Sequence, residues 1–226
     1  MCGRFALGTP KRRLEELFEC SAPEEYAPRY NTAPGHEILV VAQFGMAFRK
    51  WGLVPHWAKD PSVGFKMTNA RSETVFEKPA FREPVRSARC LVPVQAFYEW
   101  KGADSGKQPY AIGVAETDLF AMVGIMAHWQ DSITGEVVDS VSILTCEPNT
   151  LMKTIHHRMP VILGPEVWAT WLDPAVSRTE TLAPLLVPYP AQGMRAWPVS
   201  SVVNKVVHDG PELLDRVKLL RQGSLF

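Results

Sequence analysis

Apolar positions follow two rhythms along this chain. Between Lys11 and Cys20, Leu14, Leu17 and Phe18 recur at i, i+3 and i+4, which predicts a short amphipathic helix. A turn-rich stretch follows from Ser21 to Gly35, carrying Pro23, Pro28 and Pro34. Beyond it, short apolar and alternating runs predict strands over Glu37–Gln43, Gly45–Trp51, Arg89–Gln95, Ala96–Lys101, Pro109–Ala115, Leu119–Ala127 and Val137–Thr145. Gly102-Ala103-Asp104-Ser105-Gly106 reads as a hairpin loop between two of them. Three later helices are predicted at about Asn149–Ile155, Pro165–Leu172 and Pro211–Leu220. The last has Pro in its first turn and Leu213, Leu214, Val217 and Leu220 on one face, after Asp209-Gly210. Nineteen prolines and fifteen glycines break the chain often and favour short strands over long helices. There is no internal repeat, low-complexity tract or long linker, so the reading is a single α+β domain over residues 1–226, strand-rich and barrel-like.

Composition narrows the classes. With 226 residues, one large domain is expected, and 46% hydrophobic with 21% charged residues argues against disorder and coiled coil. No run of about 18 apolar residues is present, so no membrane span is expected. Met1-Cys2-Gly3-Arg4-Phe5 lacks an apolar signal core, and a cytoplasmic location is expected. Lys plus Arg and Asp plus Glu both number 24, so the net charge is zero and any phosphate contact must come from a local patch. Cys2, Cys20, Cys90 and Cys146 are far apart with no C-x-x-C pair, which suits free thiols rather than a disulfide scaffold or a zinc module.

Several catalytic signatures are missing. Gly102 to Lys107 approaches a P-loop, but the spacing is one residue short and Gln108 stands where Ser or Thr should bind magnesium. There is no G-x-S-x-G and no H-E-x-x-H, and the adjacent His156 and His157 make a poor metal pair. Neither a metal nor a cofactor is expected. The N-terminus carries chemistry instead. Cys at position 2 is small enough to allow removal of Met1, which leaves a 1,2-aminothiol. Its α-amine is partly neutral at cellular pH and its thiol is a strong nucleophile. Such a group condenses with an aldehyde to an imine and then closes a thiazolidine ring. The alternative is that Cys2 is a small buried apolar residue near a strand start.

A series of blocks decides between these. They are Cys2-Gly3-Arg4-Phe5, Arg29-Tyr30-Asn31-Thr32-Ala33-Pro34-Gly35, Trp51-Gly52-Leu53-Val54-Pro55 and Thr68-Asn69-Ala70-Arg71-Ser72-Glu73-Thr74. Arg89-Cys90-Leu91-Val92-Pro93, Phe97-Tyr98-Glu99-Trp100-Lys101, Ile155-His156-His157-Arg158-Met159-Pro160, Pro198-Val199-Ser200 and Val203-Asn204 follow. In this order, over residues 2 to about 204, the chain resembles the SRAP family, the SOS-response-associated peptidase-like proteins. The resemblance implies curved, barrel-like antiparallel sheets flanked by short helices. It also implies covalent crosslinking to abasic sites in single-stranded DNA through the N-terminal cysteine, self-removal of the initiator methionine, and AP-lyase activity.

Roles follow residue by residue from that resemblance. Cys2 matches the nucleophile. Asn69 matches an amide that holds the amine and sugar oxygens, against the alternative of a turn-forming Asn. Glu99 matches a proton shuttle, provided burial raises its pKa, and its aromatic neighbours favour a protected site. His156 matches the acid or base that opens the sugar ring, while His157 falls at a variable position. Arg4, Arg71 and Arg158 each lie two residues from one of these groups and are expected to hold phosphates, although a surface salt bridge would explain any one of them. Pro34 and Trp100 look like groups that stack on or wedge between bases, against the alternative of a core aromatic for Trp100; Trp57 adds another platform and Lys78 reaches a phosphate. Asn31 is expected to contact the strand or shape the site. The partner is single-stranded DNA containing abasic sites, bound by a monomer.

Three other readings compete. Met-Cys-Gly also opens N-terminal-nucleophile amidotransferases, but that reading leaves the N-A-R, F-Y-E-W and I-H-x-R blocks unexplained. A non-catalytic DNA reader would use the same arginines and aromatics without the thiol. A peptidase acting on other proteins would need an acceptor groove, of which the sequence carries no sign.

Overall fold

The computed structural model describes residues 2–103 and 106–219. Its strands are β1 (Phe5–Leu7), β2 (Arg29–Thr32), β3 (Glu37–Ala42), β4 (Gly45–Trp51), β5 (Asn69–Arg71), β6 (Arg89–Val94) and β7 (Ala96–Ala103). They continue with β8 (Gly106–Val114), β9 (Phe120–Gln130), β10 (Val137–Cys146), β11 (Met159–Pro160), β12 (Ile162–Leu163) and β13 (Met194–Pro198). The short helices are α1 (Lys11–Phe18), α2 (Pro84–Ser87), α3 (Trp168–Leu172) and α4 (Thr179–Leu182).

One sheet closes on itself. β10, β4, β3, β6 and β9 pair in that order, and β9 pairs back onto β10, making a five-stranded barrel that β5, β11 and β12 extend. Closure removes the exposed edges that an open sheet would present. β6 is buried along its whole length, as expected for a strand covered on both faces. Its Arg89 is held by the carbonyls of Trp171, Val85, Arg86 and Asp173, so the buried cation keeps hydrogen-bond partners. The second sheet runs β13-β8-β7-β1-β2, and the Phe5 ring packs 5.3 Å from the buried Trp51 of the barrel.

Most pairings are antiparallel, as expected, but β10 is parallel to both β4 and β5. Ser140 and Val141 face Lys50 and Trp51, and then Ile143, Leu144 and Thr145 face Asn69, Ala70 and Arg71. The chain therefore leaves the edge of β10 at Gly52 and returns to it at Asn69. Gly52 has φ +136, and a Cβ there would stand 2.7 Å from the Gly64 carbonyl oxygen, so glycine is required for the excursion to fold back on itself.

The helix predicted over Lys11–Cys20 forms as α1, with Leu14 buried. The one predicted over Pro165–Leu172 forms as a 3-10 turn leading into α3. Two predicted helices do not form. Pro211–Leu220 is reduced to a 3-10 turn over Pro211–Leu214. Arg216 then bridges to Val199, and the Val217 N–H donates to the Pro198 carbonyl. Leu220 lies outside the described residues. Pairing with the end of β13 wins because so short a helix has little propagation to offset nucleation. Likewise Asn149–Ile155 contains only one 3-10 turn, Met152–Thr154, with Asn149 capping the Met152 N–H while its own amide donates to the Tyr189 carbonyl. In the stretch read as turns, β2 forms because β1 offers it a partner. Asp104 and Ser105 of the predicted hairpin loop lie outside the described residues, while Ala103 pairs with Gly106 across it. Among the described residues, no helix is long and apolar enough to cross a membrane.

Candidate active site

The register of β1 against β7 places the N-terminal residues. Phe5 faces Phe97, Ala6 faces Ala96, and the Tyr98 N–H donates to the Arg4 carbonyl at 2.9 Å. The residues before β1 thus run beside the part of β7 that carries Glu99 and Trp100. Cys2 is fully buried, and its carbonyl accepts from Asn69 Nδ2 at 2.9 Å. Burial pushes the Cys2 thiol well up, and the Glu99 charge adds to the effect. Asn69 sits on β5 and also donates to Thr68 Oγ1 at 3.2 Å. Its Oδ1 is buried with no hydrogen-bond partner among the described residues, which leaves an acceptor next to Cys2.

Glu99 and His156 form the second half. Glu99 is 3% exposed, and burial pushes its carboxyl up to about 7. At cellular pH it is therefore shared between acid and base forms, which suits proton transfer in both directions. His156 Nδ1 lies 3.7 Å from Glu99 Oε1. The His156 ring follows the turn Met152–Thr154, and its backbone N–H donates to the Met152 carbonyl at 2.8 Å. Burial lowers its pKa and favours the neutral ring. The Arg158 N–H and carbonyl stand 3.1 and 3.2 Å from His156 Nδ1, so the Arg158 backbone meets this nitrogen in either tautomer, donating to its lone pair or accepting its proton. Glu99, Trp100, His156, Lys107 and Asn204 line one cavity of about 390 Å³. His157 is exposed, with its ring 4.2 Å from that of His156.

A second cavity, of about 540 Å³, gathers four of the sequence candidates, Asn69, Arg71, Trp57 and Lys78, with apolar walls from Met67, Pro79 and Phe81. Arg71 and Lys78 are exposed, and Trp57 is 52% exposed. The remaining candidates are tied into the fold. Arg4 Nη1 donates to Asn31 Oδ1 at 2.7 Å and to the Val203 carbonyl at 2.8 Å, and its guanidinium lies 5.8 Å from the centre of the Trp100 ring. Trp100 Nε1 donates to Asn204 Oδ1 at 2.7 Å.

Asn31 is fully buried, and its Nδ2 donates to the carbonyls of Val203, Lys205 and His208. Of the two roles expected for Asn31, direct contact with a strand does not fit this burial, whereas shaping the site does. Pro34 is half-buried in the turn next to Gly35, against which the exposed Phe65 ring packs. Arg158, expected at a phosphate, forms a two-bond pair with Glu73 at 2.7 and 2.9 Å and donates to the Thr145 carbonyl at 2.6 Å.

Four residues at this site were given no role from sequence. Asn204 and Glu73 lie within blocks already marked, next to or near residues that were assigned. Lys107 is placed by the β7–β8 register, which pairs it with Gly102 two positions beyond Trp100. Phe65 carries no motif, and only the folding of 52–69 brings it to Gly35, the neighbour of Pro34. Among the described residues, no three His, Cys, Asp or Glu side chains converge as a metal site.

Comparison with known proteins agrees over most of the chain. The family model for SOS response associated peptidase (SRAP) matches residues 1–206. The chain is similar to the abasic site processing protein YoaM of Bacillus subtilis (strain 168), 44% identical over 223 residues that cover 95% of this chain and 98% of that one. It is 31% identical to the abasic site processing protein HMCES of Pongo abelii, over 100% of this chain and 78% of the relative. A crystal structure of a protein from Bacteroides thetaiotaomicron superposes with a TM-score of 0.89 at 28% identity, covering 96% of this chain and 100% of the other. The ordered blocks, the barrel with its second sheet, and a family match over residues 1–206 lead to one assignment: this chain belongs to the SRAP family.

Proposed function

We propose that this protein recognises abasic sites in single-stranded DNA and crosslinks to them through Cys2, shielding the lesion. The observation that carries this reading is the meeting of three groups from distant parts of the chain around the N-terminus. Asn69 is bonded to the Cys2 carbonyl at 2.9 Å, and the buried Glu99 lies 3.7 Å from His156. The abasic site processing relatives supply the substrate class.

The chemistry begins with hydrolysis of the Met1–Cys2 peptide bond, which releases methionine and frees the Cys2 amine. His156 moves a proton between the oxygens of the closed sugar as it opens to the aldehyde. The Cys2 amine adds to the aldehyde carbon to give a carbinolamine, and Asn69 Oδ1 accepts from that nitrogen. Glu99 in its acid form protonates the departing hydroxyl, so water leaves and the imine forms. Burial keeps the thiol protonated until this point, so the amine reacts first. The imine formed this way keeps its nitrogen proton as an iminium; the sulfur attacks its carbon, the C=N electron pair returns to nitrogen, and the thiol proton passes to the Glu99 carboxylate, closing the thiazolidine with no net change in the enzyme groups. The same imine is the species from which β-elimination at the sugar would cleave the strand, so lyase activity and crosslinking compete for one intermediate. Arg71 and Lys78 are the exposed cations available to phosphates, Arg4 and Arg158 being bonded to protein oxygens, and Pro34, Trp57 and Trp100 are the apolar surfaces available to bases. The protein acts as a monomer.

The test mixes the protein with single-stranded DNA carrying one abasic site and resolves it on a denaturing gel. A slow-migrating band that requires both the lesion and Cys2, and is lost in Cys2→Ala, is the expected result. Undiminished crosslinking by protein whose intact mass retains Met1 would overturn the thiazolidine. Reversible binding with no covalent band, in protein lacking Met1, would leave a non-catalytic DNA reader.

A further inference from the structure

Glu73 lies outside the four groups to which the chemistry was assigned, yet it is joined to one of them by a continuous set of short bonds. Both of its oxygens accept from the Arg158 fork, at 2.7 and 2.9 Å. The Arg158 side chain is only 12% exposed, and a third bond ties it to the Thr145 carbonyl at the end of β10. Two bonds from a planar guanidinium to a carboxylate restrict orientation as well as distance. Glu73 itself follows β5, whose Arg71 pairs with Thr145, so Glu73, Thr145 and Arg158 make a closed brace across the β5–β10 edge. The backbone of Arg158 supplies the other end. Its N–H and its carbonyl both stand within hydrogen-bond distance of His156 Nδ1, at 3.1 and 3.2 Å.

We propose that Glu73 is a positioning residue for His156: it clamps the Arg158 side chain, and thereby fixes the Arg158 backbone that holds the ring orientation at Nδ1. This rests on the reading of His156 as the proton-transfer group at the lesion. The carboxylate of Glu73 is held below its usual range chiefly by its hydrogen bonds from Arg158, so the clamp is charged throughout the neutral range.

Two measurements test it. The first needs no DNA: the ring nitrogens of His156 are followed by long-range proton–nitrogen NMR at pH 7. Wild-type protein is expected to show one dominant tautomer, with distinct resonances for the protonated and unprotonated nitrogens. In Glu73→Gln, both resonances should move toward the average of the two tautomers. The second is the single-turnover rate at saturating abasic single-stranded DNA. Glu73→Gln should lower that rate about tenfold, a size typical of small misplacement of a catalytic group. Its affinity for intact single-stranded DNA should stay within about twofold, since phosphate contacts set that quantity. Glu73→Asp, which keeps the charge, should recover part of the rate, and Glu77→Gln in the same loop should not change it.

Unchanged ring resonances with an unchanged rate would overturn the proposal. Tighter DNA binding at an unchanged rate would also overturn it, because Glu73 would then merely hold the Arg158 charge back from phosphate. Proportional loss of rate and binding would make Glu73 a structural residue of the DNA surface. If wild-type protein formed no crosslink, the functional reading would fail while the NMR result still decided the positioning role.

Discussion

At the scale of single residues, Glu99 best shows a site that works against the fold. Its position between Phe97-Tyr98 and Trp100 marks it in the sequence as a protected carboxylate. How far protection moves its pKa depends on atoms from β1, β7 and the His156 turn. The unfolded chain ionises Glu99 near 4.5, and the folded chain near about 7. Between those values the folded state holds the extra proton. The stability attached to the neutral carboxyl is therefore fully present below 4.5 and is lost as pH rises through about 7, a change of roughly 3 kcal/mol at most. Glu99→Gln should remove that slope. We expect it to be more stable than wild type at pH 8 by about 1–3 kcal/mol in denaturant unfolding, while it crosslinks about a hundredfold more slowly and binds intact DNA normally. Equal or lower stability at pH 8 would mean that the carboxylate is well accommodated in the fold.

At the scale of elements, the site depends on two pieces of chain that no local pattern assigns. The first is the return of the chain to β10 at Asn69, which relies on backbone contact between Gly52 and Gly64. Gly52→Ala places a methyl group against the Gly64 carbonyl at a φ of +136 and should destabilise the protein by about 2–4 kcal/mol, read by thermal or urea unfolding. The second is the strap from Val199 to Asp209. Asp209 accepts from the N–H groups of Tyr30 and Asn31 at 2.6 and 2.7 Å, while the Asn31 amide holds three carbonyls of the strap. Asn31→Ala removes a donor from each of those carbonyls and leaves one Arg4 N–H without its acceptor. We expect a loss of about 2–4 kcal/mol, with DNA affinity falling because Arg4 and Trp100 are no longer held in place. Unaltered stability with lost binding would instead return Asn31 to direct contact. The same competition explains the failed helix at Pro211–Leu220, where pairing beside β13 replaces local propagation.

At the scale of the whole molecule, zero net charge and a nucleic-acid role are compatible because the cations are local. Arg71 and Lys78 are exposed on one cavity, whereas Arg4 and Arg158 already donate to protein oxygens. Binding to intact single-stranded DNA should therefore be only moderately salt-dependent. A slope of log K against log salt near −1.5 to −2 is expected, from about two or three phosphates at roughly −0.7 each. Arg71→Ala should flatten that slope by about 0.7 and weaken binding evenly across sequences, measured by titration at several salt concentrations. A slope near zero would place the recognition in stacking alone. A much steeper one would require cations beyond those of the two cavities.

The sequence by itself determined what depends on local order. The period of apolar residues set α1 and most of β3 to β10, because burial on one or both faces writes itself into neighbouring positions. Cysteine at position 2 pointed to the proposed chemistry, because the aminothiol is defined by adjacent bonds. The ordered blocks marked Asn69, Glu99 and His156 as the candidates to carry it. Tertiary structure alone decided which strands closed the barrel, since β3 finds β6, and β10 finds β4 and β5, across long stretches of chain. It alone joined Glu73 to Arg158, turned Asn31 inward and set Lys107 beside Glu99. It alone raised the Glu99 pKa, because desolvation is a property of the surrounding volume rather than of neighbours along the chain.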